Sequence, residues 1–170
     1  MSKAESALTA LREKLEDGVV DSIEFRGQLT AVIQIEAIVA ACEFLKRRGY
    51  DFLIALTATD HWPAEPRFEV LYQLYSTQQN TLIGLSVRLN GDEPKVPSIE
   101  PVYANANWHE REVYDMFGID FLGHSDLRRI LMPHDWEGHP LRRDYPLGYE
   151  EVQFTFNFDE IDRRKKYAKD

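Results

Sequence analysis

The feature that most limits what this chain can fold into is a change of texture near Asn105. Before it, aliphatic residues recur with the periods of helices and strands. After it, prolines, arginines and histidines interrupt every apolar run. Only the first part can build a layered core, because closely spaced proline removes backbone donors and blocks long regular elements. Ala4, Leu8, Leu11 and Leu15 fall at helical spacing and Gly18 follows, which predicts an amphipathic helix over about 4–16. Val19–Phe25 and Leu29–Ile35 read as short strands parted by Gly27. Ile38, Cys42 and Leu45 mark the inner face of a second helix, stopped by Gly49. Phe52–Leu56 is an unbroken apolar run, the pattern of a central strand. Asp60–Pro66 is a loop with two prolines, and Arg67–Ser76 and Thr81–Leu89 form a hairpin about Gln78–Asn80. Asn90–Pro101, with Gly91, Pro94, Pro97 and Pro101, reads as a linker-like loop. The order implies an α/β (α+β) single domain with a mixed β-sheet and flanking helices. Its expected divisions are a core over 1–103, a helix over 104–118 and an extended interaction arm over 119–170 that wraps a partner subunit.

Composition removes several function classes. A length of 170 residues suits one core. The net charge of −9 disfavours a generic nucleic-acid binder and docking on anionic lipid through bulk charge. No apolar stretch approaches the roughly 18 residues a membrane span requires. The acids within the first turns argue against a signal peptide. Cys42 is the sole cysteine, so neither a disulfide framework nor an iron–sulfur cluster held by this chain alone is available. A reducing, cytosolic or matrix-like compartment fits.

The segment NANWHEREVYDMFG, Asn105 to Gly118, carries the most information. Asn107 followed by Glu110 resembles a capping box, and Gly118 stands where a left-handed residue would end a helix over Trp108–Phe117. At about 100° per residue, Trp108, Arg111, Glu112 and Asp115 share one face, with Tyr114 and Met116 on the flanks. Arg111 and Asp115 can pair across one turn. On a solvated helix such a pair contributes only about 0.3–0.5 kcal/mol. At a desolvated interface with another subunit, removing one partner costs about 3–5 kcal/mol. On the second reading, Asp115→Ala leaves the isolated chain folded and weakens assembly.

Catalytic readings of the same residues fail. His109-Glu110 lacks the second histidine of a zinc protease, since Val113 stands four residues after His109. His124, His134 and His139 are separated by prolines and match no ligand pattern, which leaves a metal hydrolase using His109, Glu112 and these histidines a remote alternative. No phosphate loop or nucleophile elbow occurs.

The arm displays side chains favoured as interface anchors: Arg128, Arg129, Trp136, Arg142, Arg143 and Tyr145. Beyond it, Phe154, Phe156 and Phe158 alternate with Thr155 and Asn157, as in a strand with one aromatic face. That strand either returns to its own domain or adds to a neighbour's sheet.

Taken together, Ala106-Asn107-Trp108, Glu110-Arg111-Glu112, Tyr114 through Ile119 and the arm to Tyr145-Pro146 closely resemble the C-type (30-kDa) subunit of respiratory complex I, the NADH:quinone oxidoreductase. Arg67-Phe68 with Val70 and Tyr72, and the Asp60 loop, extend the resemblance over about Leu29 to Pro146. Ser125 departs from a usual proline and Arg143 from a common lysine, which touches only local arm geometry. The resemblance implies a cofactor-free structural subunit of the peripheral arm, on the cytoplasmic or matrix side of the membrane. FMN, Fe–S clusters and quinone would be held by partners: the D-type (49-kDa) subunit and the B- and I-type Fe–S subunits. The expected contact set comprises Trp108, Glu110, Arg111, Glu112, Tyr114, Asp115, the arm anchors and the three phenylalanines, with no catalytic or metal-binding residue. The alternative is the equivalent subunit of a membrane-bound hydrogenase or formate-hydrogenlyase-type complex, which shares the Glu-Arg-Glu helix.

Overall fold

A computed structural model describes residues 2–146 together with 159, 160 and 163. The first helix, α1 (Lys3–Leu15), opens on a complete capping box. Ser2 Oγ accepts from the Glu5 amide at 3.1 Å while the Glu5 carboxylate returns to the Ser2 amide. Ala4, Ala7, Leu8 and Leu11 face inward, as the helical spacing predicts. The strands β1 (Val19–Phe25) and β2 (Gln28–Ile33) form a hairpin, followed by α2 (Ile38–Arg47) with Ile38, Ala41, Cys42 and Leu45 buried. Then come β3 (Phe52–Asp60), β4 (Phe68–Ser76) and β5 (Thr81–Leu89). The five strands lie in the order β1-β2-β5-β4-β3, antiparallel except for the parallel β2–β5 pair. This is the expected mixed sheet.

Along β4, Phe68, Val70, Tyr72 and Leu74 are fully buried while Leu71, Gln73 and Tyr75 are half-exposed. The buried row joins α1, α2 and the next helix in one hydrophobic cluster, so the three helices cover one face of the sheet.

Two expectations are corrected. Phe52–Leu56 is not a central strand, because β3 is an edge of the sheet, with Phe52 and Ile54 50% and 44% exposed. A register shift between Leu53 and Ala55 explains the deception. The extra residue of a bulge lets consecutive apolar residues alternate between faces out of phase, so an unbroken run need not be buried on both sides. The Asn90–Pro101 segment is not merely a linker either. Its Lys95–Pro97 forms a three-residue strand, β6, paired in parallel with β7 (Asp120–Leu122). Pro94 and Pro97 are tolerated because neither has to donate: the Pro94 carbonyl accepts the Asp120 amide, and the Ser98 amide next to Pro97 donates to Leu122 O, each at 2.9 Å.

Between β6 and β7 runs α3 (Ala106–Phe117), lying against the edge strand β3. Asn105 Nδ2 donates to the Leu53 carbonyl at 2.8 Å, which both anchors the helix start and covers part of the sheet edge. Ala106, Val113, Met116, Phe117, Ile119 and Phe121 belong to the same core cluster as the sheet.

Candidate interaction site

The site is built from α3 and the irregular segment after β7. A helix leaves its last carbonyls without internal partners. Here Gly118, at φ 70°, returns its N–H to Tyr114 O, as predicted for that glycine. The remaining carbonyls are taken by the arm. His139 Nδ1 donates to Asp115 O at 3.0 Å, the Leu141 amide to Met116 O at 3.0 Å, and Arg142 Nε to Phe117 O. Residues 139–142 are therefore the C-terminal cap of α3. Burial lowers the pKa of His139 against the raising effect of its bond to Asp115, and its ring stands edge-on to Tyr114.

Asp115 is the first of two acidic clasps. Its side chain is wholly buried and accepts from Arg129 Nη1 at 2.6 Å. It also accepts from three successive amides, those of Ile130, Leu131 and Met132, at 3.1, 2.8 and 2.8 Å. Burial works to raise the carboxyl pKa, but the Met132 amide, Arg129 and the other two amides outweigh it and lower it. Arg129 also donates to the carbonyls of Trp136 and Gly138, both at 2.9 Å. Arg111 does not pair with Asp115, contrary to the helical-spacing reading. It bonds the carbonyls of Arg128 and Arg129 at 3.1 and 3.0 Å, because the arm already occupies the carboxylate.

The second clasp lies further along the arm, at Asp144. Arg67, 7% exposed at its side chain, forks between two carboxylates. Its Nε and Nη2 donate to Asp60 at 3.0 and 2.9 Å, and its Nη1 and Nη2 donate to Asp144 at 3.0 and 2.6 Å. The guanidinium sits over the rings of Trp62 and Phe68, 4.9 and 4.7 Å from their centroids. The Asp60 carboxylate accepts the amides of Trp62 and Arg143 as well. Burial alone would raise the Asp60 pKa, yet Arg67 and these amides bring it to about 2. Arg67 likewise pulls the Asp144 carboxyl below its usual range.

A third contact ties the start of the arm. The expected capping box of Asn107 and Glu110 is absent, since α3 begins two residues earlier, with Asn105 at its N-cap, and both side chains point elsewhere. Asn107 Nδ2 donates to Glu100 and Ser125, at 2.9 and 3.2 Å. Glu110, fully buried, accepts from Ser98 Oγ at 2.6 Å and the Ile99 amide at 2.8 Å. The Ser125 amide and hydroxyl, with Asn107, hold the Glu100 pKa at about 2, whereas burial raises that of Glu110 to about 7.

Several residues expected at an interface with other subunits thus serve the chain itself. The side chains of Glu110 and Asp115 have no exposed surface: Glu110 is engaged by Ser98 and Ile99 of the loop after β6, and Asp115 by the arm folding back on α3. Arg111, Arg129 and Arg142 are half-buried and bond arm or helix carbonyls. Tyr145 packs beside Gly138 and donates to Glu137 O at 3.2 Å. Trp136 is half-buried, with its Nε1 shielded. Trp108, Glu112, Arg128 and Arg143 face outward, Arg128 pairing with Asp126 at the surface. Phe154, Phe156 and Phe158 lie outside the described residues.

The first clasp leaves apolar side chains of the arm facing out. Three amides of 130–132 turn toward Asp115, and Ile130 and Leu131 are left 38% and 62% exposed, with Trp108 at 60% and Leu141 at 54%. The second clasp is invisible to sequence reasoning. Asp60 and Arg67 flank a diproline loop, a local signal of a fixed turn, but nothing in sequence links them to Asp144, seventy-seven residues after Arg67.

Residues 31–151 match the family model described as the respiratory-chain NADH dehydrogenase 30 Kd subunit. The C subunit of NADH-quinone oxidoreductase from Roseiflexus sp. (strain RS-1) is 48% identical over 168 residues, 97% of each chain. Its counterpart from Geotalea uraniireducens (strain Rf4) is 42% identical, covering 86% of this chain and 90% of that one. Among solved structures, the trypsin-resistant fragment (1-134) of Nqo5 superposes with a TM-score of 0.65 at 30% identity, covering 72% of this chain and 98% of the fragment. A chain of the membrane-bound sulfane sulfur reductase, an archaeal respiratory membrane complex, shares the fold over 99% of this chain and 97% of its own, with a TM-score of 0.74 at 21% identity. The chain belongs to the 30 Kd subunit family of respiratory-chain NADH dehydrogenase, the C subunits of NADH-quinone oxidoreductase.

Proposed function

We propose that this chain is a cofactor-free scaffold of the peripheral arm of NADH-quinone oxidoreductase, on the cytoplasmic side of the membrane. It grips partner subunits with the outer surface of α3 and the arm. The D-type subunit and the B- and I-type Fe–S subunits are the proposed neighbours, and the FMN, clusters and quinone belong to them and to other subunits. The observation that carries this reading is the division of labour across α3. Its buried carboxyl groups, Glu110 and Asp115, are engaged in holding the chain's own loops, while Trp108, Ile130, Leu131 and Leu141 face outward. Asp115 in this way sets the course of the segment that carries Ile130 and Leu131. The single cysteine supports a role without a cluster, since Cys42 is fully buried on α2 and burial pushes its thiol pKa up. Among the described residues no helix is long and apolar enough to cross a membrane, so attachment through partners fits.

Purification through a tag on this chain tests the reading. The D-type and Fe–S subunits should copurify, and the chain released from them should carry neither iron nor flavin. Recovery of the chain alone, or of a chain with stoichiometric iron or flavin, would overturn it.

A further inference from the structure

Glu110 and His124 face each other from α3 and the turn that follows β7, with Glu110 Oε2 and His124 Nε2 4.0 Å apart. Neither side chain has solvent-exposed surface. The imidazole is already committed. Its Nδ1 accepts the Asp126 amide at 3.0 Å, which places the proton on Nε2, and that N–H donates to the Asn107 carbonyl at 3.0 Å. The Asn107 carbonyl is a helical one with a second lone pair, so it tolerates losing this donor.

We propose that Glu110 and His124 form a buried, proton-linked latch between α3 and the start of the arm. When the Glu110 proton leaves to solvent, the His124 Nε2–H swings from the Asn107 carbonyl onto the carboxylate, carrying the His124–Asp126 turn with it. Apart from His124, whose attraction works to lower the Glu110 pKa, the surroundings give the ionised carboxylate no positive partner. On the loop after β6 it meets the Ser98 hydroxyl, the Ile99 amide and the ionised Glu100, whose charge disfavours a second anion nearby. From α2 and β4 the groups that feel its charge are Cys42 and Tyr72, both buried and both pushed upward in pKa by burial, hence neutral. His124 is the one group facing Glu110 that can bring a partial positive charge closer. The protonated carboxyl needs only to reverse its bond with Ser98, where the hydroxyl at 2.6 Å can accept as readily as donate.

The direction of the pH effect follows. Burial raises the Glu110 pKa from 4.5 to about 7, so the folded chain holds this proton more tightly than the unfolded one. The associated stabilisation is complete below about 4.5 and is lost as pH rises through about 7.

The test follows the Glu110 carboxyl carbon and the His124 ring nitrogens by NMR in the full chain, from about pH 5 to about pH 9. Glu110 should titrate near neutrality, and the His124 Nε2–H signal should move with the same midpoint. The protection of the Ser125 and Asp126 amides, measured as exchange relative to the intrinsic rate at each pH, should fall on the alkaline side. Glu110→Gln should abolish that shared inflection. Ser98→Ala, which removes a donor to the carboxylate, should move the midpoint upward, and it serves if the glutamine variant fails to fold. A Glu110 midpoint below about pH 5, His124 signals indifferent to it, or a midpoint unmoved by Ser98→Ala would each overturn the latch.

Discussion

Arg129 donates to the Asp115 carboxylate at 2.6 Å from fourteen residues downstream, and the three amides that follow it converge on the same carboxylate. One acid of α3 thus fixes the course of four consecutive arm residues. That relationship changes what an Asp115 variant would report. Asp115 supports the folded chain itself and cannot be read as a bare contact with a neighbour.

Asp115→Ala should therefore destabilise the isolated chain. Removing one member of a buried, hydrogen-bonded pair costs about 3–5 kcal/mol, and three amides lose their acceptor as well. Urea unfolding of the variant should show a loss in that range. A loss below about 1 kcal/mol, the scale of an exposed pair, would contradict the buried clasp.

Asp144→Asn should act further along the arm and more gently. Arg67 keeps its two bonds to Asp60, so the domain stays folded, while the charged half of the distal clasp disappears. Cleavage by trypsin after Arg142 and Arg143 should accelerate, as read by mass spectrometry over a time course. An unchanged rate would mean that Asp144 does not hold the arm down.

Gly118→Ala tests the cap. The position has φ 70°, where a β-carbon costs about 1–2 kcal/mol. That carbon would also come within 2.5 Å of the His139 ring and 2.6 Å of Arg142 Nη2. The thermal midpoint should fall, and trypsin should again reach Arg142 faster. A midpoint within error of wild type would exclude the tight apposition of arm and helix.

Asp60 and Glu100 join Asp115 and Asp144 in setting the acid limb of stability. Their folded-state pKa values, both about 2, lie below the ordinary 3.8 and 4.5. Their contributions are present above those ordinary values and fade as pH falls toward about 2. A urea midpoint measured through this window should drop less steeply in Asp60→Asn, which begins from a lower plateau. An identical slope in the variant would assign acid sensitivity elsewhere.

Much of the architecture is legible because its signals are local. The periodicity of α1 and α2, the β4–β5 hairpin and the left-handed Gly118 are written within a few neighbouring residues. What sequence conceals depends on distance or register. The bulge at Leu53–Ala55 makes an edge strand resemble a central one. The pairing of β6 with β7 joins segments parted by a whole helix. Within the site, Asp115 and Arg129 both stand out in the sequence, but not as partners of each other. Helical spacing offers Arg111 as the natural mate of Asp115 and carries no sign that a proline-rich arm returns to displace it.

The central claim is that the apolar side chains exposed on α3 and the arm are the grip on partner subunits. It is tested most directly by comparing the tagged wild-type chain with an Ile130→Asp, Leu131→Asp double variant, both purified from cells that make the whole complex. These side chains are 38% and 62% exposed and contribute only their amides to the Asp115 clasp, so the isolated variant should keep its stability. Wild type should bring down the D-type and Fe–S subunits, and the variant, equally folded, should lose them. Equal recovery of those subunits with both chains would contradict the claim.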